Sequence, residues 1–93
     1  MLFRSRSIGF RRNARDYAIT FARGGGVKGT YGEEYASDPS NTQYFSDAGN
    51  WFVRDERLCV KWRSWDRGRT VCYAVSGNSL SGGGVLNGGF RYR

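Results

Sequence analysis

From Tyr17 onward the chain alternates apolar and polar residues in short runs broken by glycine, asparagine and aspartate, a period that suits strands and that no helix of useful length can carry. Tyr17, Ile19 and Phe21 alternate with Ala18, Thr20 and Ala22, then run into Gly24-Gly25-Gly26. A short strand is predicted over 27–31. Ser37-Asp38-Pro39-Ser40-Asn41 reads as a turn, since proline fixes φ while Asp, Ser and Asn bond their own backbone. Short strands follow over 42–46 and 50–54, separated by Asp47-Ala48-Gly49. The two strongest strands are predicted over 57–63 and 69–76, and a last one over 85–92. With fourteen glycines and a single proline in 93 residues, the pattern predicts an all-β fold. It is a small antiparallel meander of about seven short strands, forming a barrel or a two-layer sandwich.

A chain of this length makes one domain whose core is small, so a covalent staple or a partner carries weight. Residues 17–93 are expected to form that domain. In residues 1–16, Leu2, Phe3, Ile8 and Phe10 follow no clean period, so this basic segment is read as a flexible N-terminal arm, with a frayed helix or an edge strand as alternatives. Its arginines interrupt any secretory apolar region, and its Arg- and Ser-rich, acid-poor composition is also that of an organelle transit peptide. No apolar run reaches the length of a membrane-spanning helix. Gly24 to Tyr31 echoes Gly82 to Phe90, and each echo is read as a sharp bend or bulge where a strand begins. Neither has the Gly-Lys-Ser/Thr spacing of a phosphate loop.

Fifteen Lys and Arg against eight Asp and Glu give a net charge of +7, which points to acidic protein surfaces, nucleic acid or other anions as partners and excludes acidic mimicry of nucleic acid. The charge comes in blocks. Residues 1–23 carry +5, residues 24–53 carry −3 and residues 54–69 carry +3. The chain has no histidine, which removes histidine acid/base catalysis, Ser-His and Cys-His dyads and most zinc and iron sites. The adjacent pairs Glu33-Glu34 and Asp55-Glu56 point to opposite faces of a strand, so neither converges on one substrate atom. No enzymatic activity, cofactor or metal site is expected.

Cys59 and Cys72 lie on the two strongest strands, and two registers compete for that hairpin. If Val60 pairs with Val71, then Leu58 faces Tyr73, Trp62 faces Arg69, and Cys59 falls opposite Cys72. If 65–69 instead makes a three-residue turn, Val60 meets Ala74 and the cysteines lie on opposite faces. The first register pairs apolar with apolar and is the one expected. It assigns Leu58, Val60, Trp62, Val71, Tyr73 and Val75 to the core and Arg57, Lys61, Arg63 and Thr70 to the outer face. Opposed cysteines either form a bridge, which needs an oxidising compartment, or stay as two small buried thiols.

The run Gly49-Asn50-Trp51-Phe52-Val53, followed by Arg57-Leu58-Cys59-Val60-Lys61-Trp62 and Cys72-Tyr73-Ala74-Val75, resembles the closing half of small bacterial secreted calycin-like (lipocalin-like) barrels of uncharacterised function. In those barrels a Gly-x-Trp strand leads into a Leu-Cys-x-x-Trp strand and then a Cys-Tyr strand. The resemblance implies an antiparallel barrel, a disulfide between Cys59 and Cys72, a secreted or periplasmic location, and a ligand-binding or inhibitory role. Without the bridge a cytoplasmic location is expected.

Two functions are expected from different classes. The first is a non-enzymatic binding module or inhibitor that contacts an acidic protein surface through Arg54, Arg57, Lys61, Arg63, Trp65, Arg67 and Arg69, the last three at the hairpin tip. Small basic inhibitors include phage-encoded blockers of host defence complexes. The alternative is direct nucleic-acid binding by Arg4, Arg6, Arg11, Arg12 and Arg15 together with the tip, with Trp65 or Tyr73 stacking on bases. No nucleic-acid-binding aromatic signature or recognition helix accompanies it.

Overall fold

A computed structural model describes residues 6–35 and 38–93, with 34, 35 and 38–41 as backbone only. Nine antiparallel strands form one nearly closed barrel: β1 Arg6–Arg12, β2 Arg15–Phe21, β3 Gly26–Tyr35, β4 Asp38–Arg54, β5 Arg57–Trp62, β6 Thr70–Ser76, β7 Ser79–Ser81, β8 Gly88–Gly89 and β9 Arg91–Tyr92. From β1 to β8 each strand pairs with the next in sequence. Closure comes from the chain end. β8 pairs with β7, β9 pairs with β1, and the two are separated by Phe90, whose N–H donates to the Asn78 carbonyl. One six-residue segment therefore bridges both margins of the sheet, ending where the Arg93 N–H donates to Ser7.

The alternation in the sequence fills the interior. Ile8, Phe10, Tyr17, Ile19, Phe21, Val27, Leu58, Val60, Trp62 and Tyr73 are buried together, closed at one end by Leu80 and Leu86. Aromatic rings continue the packing across strands: Phe10 stacks on Tyr17 at 4.8 Å, and Tyr17 meets Tyr31 at 5.0 Å. The Trp62 indole N–H is buried with no hydrogen-bond partner among the described residues.

The β5–β6 register is the apolar one: Leu58 pairs with Tyr73, Cys59 with Cys72, Val60 with Val71 and Lys61 with Thr70. Cys59 and Cys72 are joined by a disulfide, with their Cα atoms 3.9 Å apart. Four expectations change. Arg6–Arg12 is a core strand rather than part of an arm, because Ile8 and Phe10 face Ile19 and Tyr17 across the ladder. Residues 42–46 and 50–54 belong to one 17-residue strand, β4, so Asp47-Ala48-Gly49 is no turn. Asp38 to Asn41 likewise lie within β4, where the register with β3 shifts between Glu34 and Tyr35, while Ser37 lies outside the described residues. The strand expected over 85–92 divides. Val85 and Leu86 sit in a turn held by Asn87, whose Oδ1 accepts the amides of Gly82 and Gly83, and the missed strand Ser79–Ser81 comes before it.

Two-residue hairpin turns here place non-glycine residues at positive φ, including Ala14 (62°) and Glu56 (63°). Such left-handed conformations cost a Cβ-bearing residue about 1 kcal/mol or more. Ala14→Gly is therefore expected to raise the melting temperature by a few degrees in a thermal scan, with an unchanged or lower value contradicting the turn geometry.

Candidate functional site

Cross-strand partners share a face, which allows the outer surface to be traced from pair to pair. Lys28 pairs with Ala48, Asn50 with Lys61, Phe52 with Cys59 and Arg54 with Arg57. Arg63 extends the β5 series by donating its N–H to the Ala48 carbonyl. Lys28, Arg54, Arg57, Lys61 and Arg63 thus lie on one outer face around the disulfide, with Arg57 and Arg63 roughly 20 Å apart along the strand direction. Two shallow troughs join three of them, one between Lys28, Ser46, Ala48 and Arg63, the other between Ala48, Asn50, Lys61 and Arg63. Arg54 also lies over the Phe52 ring at 5.2 Å. None of the five cations forms an ion pair among the described residues.

Asp55 and Glu56 stand exposed in the turn between Arg54 and Arg57, whereas two other acids, Asp47 and Asp66, are turned to structural use. Asp47 Oδ2 accepts the backbone N–H groups of Ser64 (2.9 Å) and Trp65 (2.8 Å). Burial works against its charge, but the amides of Trp65, Ser64 and Ala48, with Arg63 nearby, outweigh burial and hold its pKa below the usual carboxylate range. Asp66 accepts the Val85 amide with both carboxylate oxygens, at 3.0 and 3.2 Å.

Trp65 departs from the expectation of an exposed ring at the tip. The turn Trp65–Gly68, with Asp66, Arg67 and Gly68 all at positive φ, rolls the indole inward. There it meets Trp62 at 4.6 Å and Tyr31 at 5.7 Å, over Gly29, whose missing Cβ leaves the space the ring occupies. Arg67 and Arg69 stay exposed on that turn, where Arg69 Nε donates to the Asp66 carbonyl at 3.4 Å.

Tyr73, unlike the half-buried Trp65, is fully buried and presents no face for stacking on a base. Its hydroxyl accepts the Leu86 N–H at 3.4 Å, and burial foremost pushes its pKa up to about 12. A phenol whose folded pKa lies above its unfolded value of about 10 adds stability that is complete below pH 10 and lost as pH rises through the folded value. An alkaline unfolding limb between about pH 10 and 12 is expected in circular dichroism and should flatten in Tyr73→Phe.

The N-terminal arginines are engaged by the fold. Arg11 pairs with Asp16 at 2.8 Å, and Arg15 pairs with Glu33 at 3.7 Å while covering the Tyr31 ring. Arg12 donates to the carbonyls of Val85 and Gly89 and lies over Phe10, and Arg6 lies over Tyr92. Arg4 lies outside the described residues. Lys28 is the member of the cationic face that sequence reasoning missed. It sits in the acidic block, and only its pairing with Ala48 brings it beside Arg63. No group of three or more His, Cys, Asp or Glu among the described residues is placed to hold a metal ion, and no described helix is long and apolar enough to cross a membrane. No protein-family model, curated protein or solved structure matches the chain.

Proposed function

We propose that the protein is a non-enzymatic binding module that docks an acidic protein surface on the outer face formed by Lys28, Arg54, Arg57, Lys61 and Arg63. One observation carries this reading: five cations share a face and none forms an ion pair among the described residues, while the nearby acids Asp47 and Asp66 are bound to backbone amides. Cations without an ion-pair partner on one sheet face steer and orient an anionic partner. The alternative, nucleic-acid binding, loses support because the described N-terminal arginines have partners within the chain, Tyr73 is buried and Trp65 is half-buried against the core. The disulfide supports action in an oxidising compartment, in keeping with the calycin-like resemblance.

The test compares wild type with Lys61→Glu/Arg63→Glu, using poly-L-glutamate and a single-stranded oligonucleotide as probes. The double reversal is expected to weaken poly-L-glutamate binding about tenfold or more and to flatten its salt dependence, with a melting temperature changed by no more than about two degrees. Unaltered binding of poly-L-glutamate by the variant overturns the proposal. So does tighter binding of the oligonucleotide that survives the substitutions.

A further inference from the structure

Barrel closure leaves one long strand incompletely paired. β4 pairs with β5 only from Gly49 to Arg54, because the chain turns inward after Trp62. Thr42 to Ser46 pair with β3 on one side and with no described strand on the other. The direction of the backbone groups follows from two hydrogen bonds: the Trp51 N–H points toward β3, donating to Gly25, and the Ala48 carbonyl points away, accepting from Arg63. The β3–β4 register is unbroken from Asn50 to Thr42, so the N–H and C=O groups of Thr42, Tyr44 and Ser46 project from the open edge.

Natural edges are protected by charge, proline or bulges. Pro39 and the register shift beside it protect the hairpin tip, but Thr42-Gln43-Tyr44-Phe45-Ser46 has no such device. In a chain of net charge +7 these five residues are uncharged. Aromatic side chains stand on both faces: Tyr44 is 78% exposed, and Phe45 is 40% exposed where it extends the internal stack by packing on Tyr31 at 4.9 Å.

We infer that this edge pairs with the same edge of a second copy, antiparallel about a two-fold axis at Tyr44. Thr42 then faces Ser46 of the other copy, Tyr44 faces its own counterpart, and the projecting backbone groups satisfy one another. Charge favours this occupant. An antiparallel arrangement carries the acidic end of each hairpin, with Glu33, Glu34 and Asp38 in its register, toward the end of the other hairpin that holds Lys28 and Arg63. A parallel arrangement sets acid beside acid and base beside base. The result is a continuous sheet of two hairpins that leaves Arg54, Arg57 and Lys61 exposed.

Sedimentation equilibrium at protein concentrations up to about 500 μM gives the test. The wild type is expected to dimerise. Tyr44→Pro removes an N–H that points away from β3, and Tyr44→Lys sets like charges against each other on the axis, so neither breaks the intramolecular ladder. Both variants are expected to keep the wild-type circular dichroism spectrum and weaken dimerisation at least tenfold. If Tyr44→Pro does not fold, Tyr44→Lys decides. A monomeric wild type across the range, or a folded variant that dimerises as well as wild type, overturns the inference.

Discussion

Gly49→Ala is expected to cost about 3 kcal/mol, a large fraction of the stability of a small domain. A Cβ at Gly49 would lie 2.8 Å from the Trp62 Cα and 2.9 Å from the Lys61 carbonyl carbon, and it would press still harder on the Lys61 oxygen. These are backbone atoms of the paired strand and cannot rotate away as a side chain would. The strands must separate at the point where β4 leaves β3 for β5, and the Asp47 contacts with the next turn loosen with them. Urea denaturation measures the effect, and a loss below about 1 kcal/mol would contradict the close approach of the two strands.

Loss of the disulfide ranks next. Cys59 and Cys72 are 13 residues apart in sequence, and closing a loop of that size contributes about 3 kcal/mol in the chain-entropy account. For a domain of this size the corresponding fall in melting temperature is roughly 12 to 24 °C. Cys59→Ala/Cys72→Ala should show that fall without reductant, and wild type should show it only after reduction. The oxidised wild type should have an intact mass two hydrogen atoms below that of the free-thiol chain. Equal melting temperatures with and without reductant would contradict a stabilising bridge.

The part of the fold most legible in the sequence was the β5–β6 hairpin. Only one register sets Leu58 and Val60 against Tyr73 and Val71, and it opposes the cysteines as a consequence. Asp47-Ala48-Gly49 misled because aspartate and glycine are turn formers by local chemistry. Their service here is long-range: Asp47 accepts amides from the turn after β5, and Gly49 lets β5 approach. The alternation of Ile8 and Phe10 about Gly9 was a strand signal hidden among arginines, whose inward positions at Arg6 and Arg12 are resolved by stacking on rings at the barrel ends. Trp65 offered no local cue. Tyr17, Gly29 and Tyr31, which receive it, are more than thirty residues away in sequence. The cationic face was legible on β5 from alternation alone, while its continuation to Lys28 required the β3–β4 register.

An acidic partner is expected to dock on the outer face of β3, β4 and β5. Amide chemical-shift mapping during titration with poly-L-glutamate tests it most directly, because it reports where the anion sits and not only whether it binds. Low-salt perturbations are expected to centre on Lys28, Ala48, Asn50, Lys61 and Arg63 and to weaken as salt is raised. Perturbations centred instead on Arg11, Arg12 and Arg15, or no perturbation at low salt, would contradict it.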